Sequence, residues 1–235
     1  NYAVGKLMNI LVPSPVRIEP FCEVYKRCGG CNLQHMDYRA QLDFKKRLVR
    51  DALERIGGLK DVKIHDTIGM QQPLQYRNKA QYPTAMADGR LVTGFYAPRS
   101  HDVIQSEECG IHTVESDKIR RIVCEFLTEE KIPAYDEKTG TGLVRHIITR
   151  TGFHTGEIMV VLVINGTELP KSEKLVRRLI DRMKETTVNS KIVAGDSETS
   201  AGRGGKIGVG NTGVLSGKDG VLRATPAIKS IYLNI

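Results

Sequence analysis

The stretch CEVYKRCGGCNLQH, residues 22–35, places three of the five cysteines of the chain within ten positions. Two cysteines separated by two residues can bind one metal, because the intervening residues form a tight turn, and glycines at 29 and 30 relieve its backbone strain. No other feature constrains the fold as strongly. A tetrahedral centre needs a fourth ligand, which a distant part of the chain must bring to this loop.

Two further cysteines are candidates for that ligand. Cys109 follows a predicted hairpin in the loop SEECGIH, whereas Cys124 lies in the predicted helix IRRIVCEFL, where a small buried hydrophobic residue is expected. The loop cysteine is the better ligand, so the sequence predicts a four-thiolate site of Cys22, Cys28, Cys31 and Cys109. Zinc and an iron–sulfur cluster both accept four thiolates, and the spacing matches neither common zinc ribbons nor bacterial ferredoxins. The residues alone leave both open.

The charge of the chain favours a polyanionic partner. Lys and Arg number 35 against 27 acidic residues, for a net charge of +8 and a pI near 9.3. Nucleic acid is the commonest such partner, and the alternative is a solvated basic surface. We find no signal peptide and no run of about eighteen apolar residues, so neither secretion nor membrane insertion has support. With an odd number of cysteines, we expect a cytoplasmic protein.

The pattern of apolar residues predicts an α+β fold, an antiparallel or mixed sheet with packed helices. The helices are expected over 38–56, between Asp37 and two glycines, over 116–130, and from Pro170 onward. Strands are expected over 2–19, on both sides of Asp88-Gly89, around 102–105, in a long hairpin over 142–166, and in the final AIKSIYLNI.

Residues 186–225 differ in composition from the rest of the chain. Nine of the 23 glycines lie between Gly195 and Gly220, with few large apolar residues, so we expect a loosely ordered insertion of unknown role. Gly208-Val-Gly210-Asn-Thr-Gly213 spells a dinucleotide fingerprint. The match lacks a preceding apolar strand, a following helix and an acidic residue about twenty positions later, so we interpret it as chance.

Several stretches together resemble one enzyme family. CEVYKRCGGCNLQHMDYRAQLDFKKRLVRDALERIGG is similar to the iron–sulfur segment of the bacterial RNA uracil-5-methyltransferases that modify 23S ribosomal RNA. YRNKAQYP, GFYAPRSHDVI, ECGIH, LVRHIITRTGFHTGEIMVVLV and IKSIYLNI follow in the order of that family. YAVGKLMNILVPSPVRI resembles the end of the small β-barrel, the TRAM domain, that precedes the cluster in these enzymes.

The resemblance implies a 4Fe-4S cluster on Cys22, Cys28, Cys31 and Cys109, with Cys124 outside it. It divides the chain into a TRAM-like end (1–20), the iron–sulfur segment and helix (21–60), a central RNA-recognition domain (61–185), the insertion (186–225), which departs from the family pattern, and a final strand (226–235).

The family methylates uracil C5 with S-adenosylmethionine, using a cysteine nucleophile and a base in a C-terminal Rossmann-like domain. Neither that motif nor the cofactor loops occur in this sequence. We therefore assign no catalytic residue. Because the first residue is Asn1 and the sequence ends in a predicted strand, we expect a fragment that lacks the catalytic domain and is inactive alone.

The same resemblance, with the positive charge, predicts a monomer that binds 23S rRNA. Arg and Lys would hold phosphates and Gln34 would read unpaired bases. The candidate contacts are Lys26, Arg27, Gln34, Lys45, Arg77, Lys79, Arg99, Arg145 and His146. His35 is expected to pack beside the cysteines without binding the metal. The alternative is a zinc-stabilised nucleic-acid-binding module with no catalytic role, and an electron-transfer protein fits poorly.

Overall fold

The computed structural model describes residues 3–192 and 227–234 of the chain. The elements in chain order are α1 (Tyr38–Asp51), β1 (Lys79–Ala87), β2 (Arg90–Tyr96), β3 (Val103–Gln105), α2 (Val114–Glu129), β4 (Val144–Thr151), β5 (Glu157–Ile164), α3 (Ser172–Ile192) and β6 (Ala227–Asn234). A π-helical turn, Ala52–Ile56, continues α1. None of the helices in the described ranges is long and apolar enough to cross a membrane.

The strands form one mixed sheet in the order β3-β2-β1-β4-β5-β6. All neighbours are antiparallel except β5 and β6, which run parallel. This confirms the predicted α+β class with a mixed sheet. Asp88 and Gly89 both have positive φ, 50° and 73°, which is the conformation that a two-residue hairpin between twisted strands requires.

Helices α2 and α3 cover one face of the sheet. Thr113 caps the N-terminus of α2, because its side chain accepts from the Ser116 amide. The helix buries Ile119, Ile122, Val123, Phe126 and Leu127. Helix α3 adds Leu175, Leu179 and Met183 to the same core. Both apolar stripes recur at the spacing of one helix face, as the sequence predicted.

Helix α1 lies outside this core and buries none of its residues. Its N-terminus is the predicted one, because the Asp37 side chain accepts from the amides of Arg39 and Ala40. Gly57 ends the π-helical turn, and a Cβ there would lie 2.8 Å from the Leu53 carbonyl oxygen. Helix α1 thus has a local N-terminal cap and side chains that are at most half-buried.

Two sequence predictions need correction. The expected strands in the first 20 residues are absent from 3–20, where an isolated bridge joins Arg17 to Met36 and apolar side chains such as Leu11 stay exposed. A strand needs a partner for its backbone groups, which local apolar spacing cannot supply. Helix α3 continues to Ile192, so residues 186–192 of the insertion expected over 186–225 are helical. Its remaining residues, with the Gly208–Gly213 match, lie outside the described residues.

Candidate metal centre and nucleic-acid interface

The first three cysteines lie on one irregular loop that is folded by its own backbone. The amide of Tyr25 donates to the Cys22 carbonyl at 3.0 Å, and that of Cys28 donates to the Val24 carbonyl at 2.8 Å. The amide of Gly30 donates to Cys28 Sγ at 3.4 Å, as expected for a tight turn whose amides face the sulfur. The loop therefore turns back on itself and brings its thiols to one side.

Cys109 comes to this loop from the segment between β3 and α2. Its amide donates to Asp117 Oδ2 at 3.0 Å, so the first turns of α2 fix its position. The amides of Gln75 and Arg77 donate to the carbonyls of Gly110 and Ile111, each at 2.9 Å. These bonds hold the Cys109 segment beside the entry to β1.

All four predicted ligands line one cavity. Its other lining residues include Val24, Tyr25, Gln34, Arg77, Phe95, Glu108, Ile111 and His112. Among the described residues, no three His, Cys, Asp or Glu side chains are already arranged around a single metal ion. The structure thus brings Cys22, Cys28, Cys31 and Cys109 together, while their role as ligands stays a prediction.

The cavity presents unsatisfied polar atoms beside the thiols. Gln34 Oε1 and His112 Nδ1 are buried without hydrogen-bond partners. Burial raises the pKa of Cys28, raises that of Cys109 to about 11, and lowers that of His112 to about 4. At neutral pH these groups are uncharged, and four soft sulfur donors with free polar atoms around them suit a thiophilic metal or cluster.

Cys124 lies apart from this cavity, on α2. Its Sγ is 3.6 Å from Thr93 Oγ1 on β2, and burial raises its pKa. His35 likewise binds within the protein, because its Nδ1 lies 2.7 Å from the hydroxyl of Tyr25. Both residues therefore have local structural partners.

The predicted RNA contacts divide into two groups. Six are exposed cations on the cysteine loop, α1, the start of β1 and the turn after β2: Lys26, Arg27, Lys45, Arg77, Lys79 and Arg99. Arg145 and His146 are half-buried at the start of β4. Gln34 turns its carbonyl into the cysteine cavity, so the structure does not present that oxygen to solvent.

Sequence reasoning missed two kinds of residue near these cations. Arg150 pairs directly with Lys79 across β1 and β4, and both side chains are exposed on the helix-free side of the sheet. The alternation of side chains in VRHIITRT could have predicted that Arg150 faces solvent. Tyr96 and Tyr135 lie beside His146 and Arg145 respectively, which only the tertiary structure reveals.

Curated relatives of this chain are RNA methyltransferases. An RNA methyltransferase of Clostridium tetani is 48% identical over 181 residues, covering 77% of this chain and 39% of the relative. One of Halalkalibacterium halodurans is 47% identical over 179 residues, covering 76% and 39%. This chain is therefore similar to part of these RNA methyltransferases. It spans about two fifths of the length of the curated relatives that it matches, and no family model matches it.

A solved structure of a uracil-C5 methyltransferase is also similar to this chain. The tRNA (uracil-54, C5)-methyltransferase of Pyrococcus abyssi, in complex with S-adenosyl-L-homocysteine, is 26% identical with a TM-score of 0.52. The match covers 71% of this chain and 37% of that enzyme. These similarities are consistent with the uracil-5 RNA methyltransferase family, which confirms the resemblance that the sequence motifs indicated.

Proposed function

We propose that this chain is the RNA-binding, iron–sulfur portion of an S-adenosylmethionine-dependent methyltransferase that acts on uracil C5 in 23S rRNA. The observation that carries the proposal is the meeting of Cys22, Cys28, Cys31 and Cys109 at one cavity, within a chain whose relatives are RNA methyltransferases. A cytoplasmic, monomeric protein is part of the same proposal.

Four thiolates would hold a 4Fe-4S cluster, three from the cysteine loop and one from the segment before α2. Bound by these four cysteines, a cluster would cross-link the two segments and give the surface a fixed shape. The Gly30 amide would donate to sulfur around it, and so would His112 in the tautomer that carries its proton on Nδ1, whereas Gln34 Oε1 can only accept.

The RNA-binding part of the proposal rests on where the cations lie. Lys26 and Arg27 extend from the cysteine loop itself, and Arg77 lines the cavity while staying exposed. Exposed cations at separate elements suit a folded RNA, because phosphates along its backbone can meet several of them at once. Fixing the loop through its cysteines would therefore fix the spacing of these contacts.

Methylation at C5 needs a thiolate that attacks C6 of the uracil and a base that removes the C5 proton. We assign neither role to a residue of this chain. S-adenosyl-L-homocysteine in the related structure supports the use of S-adenosylmethionine by the family. In our proposal this chain binds the RNA, and the methyl transfer takes place in another part of the full enzyme.

Anaerobic purification of the chain tests the cluster. We expect brown protein with broad visible absorption and about four irons per chain. Cys109→Ser should lose the metal, and the matched Cys124→Ser should keep it, because Cys124 lies outside the cavity. Colourless protein with one zinc would instead support a zinc-stabilised nucleic-acid-binding module. Loss of metal in Cys124→Ser alone would overturn the ligand assignment.

A binding titration with an rRNA stem-loop tests the RNA surface. Affinity should fall steeply as salt rises, because several phosphates release counterions when they are neutralised. The double substitution of Lys26 and Arg27 by Ala should lower both affinity and salt dependence. A flat salt response would count against this surface, whatever metal the chain contains.

A further inference from the structure

Tyr96 ends β2 on the side of the sheet that faces away from α2 and α3. Its neighbour Phe95 points to the opposite side and packs against the core. The imidazole of His101 stacks on the Tyr96 ring, with the centroids 5.1 Å apart and the planes at 27°. His101 lies just beyond the turn that follows β2, and 73% of its side chain is exposed. The exposed His101 side chain thus covers one face of the Tyr96 ring.

His146 approaches the same tyrosine edge-on. The ring centroids of Tyr96 and His146 are 6.4 Å apart, with the planes at 88°. His146 Nδ1 is buried and has no hydrogen-bond partner. Burial, followed by the charge of Arg145, lowers the pKa of His146, so the ring is neutral at neutral pH. A neutral imidazole offers one donor and one acceptor. A ligand that forms a hydrogen bond with the unpartnered Nδ1 would remove the free-energy cost of leaving that nitrogen unsatisfied.

A cation and an anion lie next to these rings. The Arg145 guanidinium lies over the ring of Tyr135, 4.5 Å from its centroid, and 4.0 Å from Glu137 Oε1. The other oxygen of Glu137 is 2.5 Å from His101 Nδ1. Glu137 therefore contacts both the Arg145 guanidinium and the His101 ring that stacks on Tyr96, and its carboxylate lies where a phosphate would meet Arg145.

The cysteine loop packs directly against this cluster. The amide of Gly29 donates to the carbonyl of Tyr96 at 3.0 Å. A Cβ at Gly29 would lie 3.1 Å from that oxygen and 3.4 Å from the nitrogen of Pro98, so the glycine allows the close approach. The position of Tyr96 is thereby coupled to the loop that carries Lys26 and Arg27.

We propose that Tyr96, His146 and Arg145 form a subsite for one unpaired nucleotide of the RNA substrate. The base stacks on the Tyr96 face that His101 covers, its edge bonds to His146, and its phosphate displaces Glu137 from Arg145. This inference rests on the proposed RNA-binding function and adds the place where a base is held. Single-stranded RNA is recognised by such combinations of an aromatic face, a polar edge contact and a cation.

A single-stranded RNA that carries one fluorescent purine analogue tests the subsite with the metal-loaded chain. Stacking should quench the analogue on binding. Tyr96→Leu should abolish the quench and weaken binding about tenfold, whereas Tyr96→Phe should retain both, since stacking needs the ring and not the hydroxyl. The matched control is Tyr232→Leu, at an exposed tyrosine of β6 on the other edge of the sheet. Equal quench and affinity in Tyr96→Leu and Tyr232→Leu would overturn the proposal.

A second measurement needs no variant. RNA containing iodouridine, irradiated in complex with the unmodified chain, should cross-link to the peptide that contains Tyr96. Cross-links confined to other peptides would overturn the subsite while leaving RNA binding intact. If the metal-loaded chain binds no RNA at all, the proposed function fails together with the subsite.

Discussion

The sheet with α2 and α3 and the cysteine lobe, which we define as residues 21–70, are stabilised in different ways. In the sheet domain, Phe126, Ile147 and Leu179 are fully buried. In the cysteine lobe, α1 buries no residue, and Leu48, Val49 and Ile56 are 52%, 50% and 87% exposed. Hydrophobic burial is the main favourable term in folding, so the sheet domain has a large source of stability that the lobe lacks.

Polar contacts take the place of a core in the cysteine lobe. The Gln41 amide donates to the carbonyls of Leu33 and Met36, and the Thr67 hydroxyl donates to the Leu42 carbonyl. Each such bond contributes only about 1 kcal/mol net. A metal cross-link would therefore stabilise the cysteine lobe, which carries three of the four cysteines, more than the sheet domain.

Phe126→Ala should give the largest effect, because it removes a fully buried ring from the core under the sheet. We expect a loss of about 3–5 kcal/mol in the free energy of unfolding, measured by urea denaturation with circular dichroism. Leu48→Ala on α1 is the matched control and should stay within about 0.5 kcal/mol. Equal losses at both positions would contradict the conclusion that hydrophobic burial stabilises the sheet domain more than the cysteine lobe.

Asp117→Asn should give the next largest effect, at the junction of the two regions. This buried carboxylate accepts from the Tyr82 hydroxyl and the Cys109 amide, both at 3.0 Å, and lies 3.5 Å from Arg120 Nε. Since the amide loses the charge that faces Arg120, we expect a loss of about 1–3 kcal/mol in the free energy of unfolding.

Hydrogen exchange would show where that loss acts. Peptides that cover Cys109 should exchange faster in Asp117→Asn, together with those at the start of α2. The control is Asp43→Asn, at an exposed position of α1. Unchanged exchange around Cys109 would mean that Asp117 does not hold this segment.

Asp37→Ala should destabilise α1 by about 1 kcal/mol, because two amides of its first turn lose their acceptor. Since α1 lies outside the core, the effect should be local. Amide exchange should quicken in α1 peptides and remain the same in α2 peptides. Faster exchange in both helices would show that the cysteine lobe and the sheet domain unfold as one unit.

Glu130 should give the smallest effect, within the sheet domain. Hydrogen bonds from Lys171 and Lys174 lower its pKa from 4.5 to about 2. A carboxylate with a lowered folded-state pKa stabilises the fold above its unfolded pKa, and this contribution is lost as pH falls from 4.5 to about 2. Thermal denaturation of Glu130→Gln should show a shallower loss of stability in that window, whereas Glu173→Gln should follow the unmodified chain.

Local patterns predicted most of the regular elements. The Asp88-Gly89 turn, the cap at Asp37 and the apolar stripe of α2 depend on neighbouring residues and were confirmed. The strands predicted in the first 20 residues were wrong, because a strand needs a second strand to pair with, and the local sequence does not show whether one is present. The parallel pairing of β6 with β5 is equally non-local, since the two strands are separated by α3 and the residues after it.

The candidate site divides along the same line. The sequence by itself determined that Cys22, Cys28 and Cys31 share one tight loop, since turn geometry acts over a few residues. Only the tertiary structure decided that Cys109 lines the same cavity, because β1, β2 and β3 must pair before its segment returns. Tyr96, His101 and His146 likewise meet only through the folded sheet and the turn after β2. Residue types specify the chemistry that is available, and long-range packing determines which residues act together.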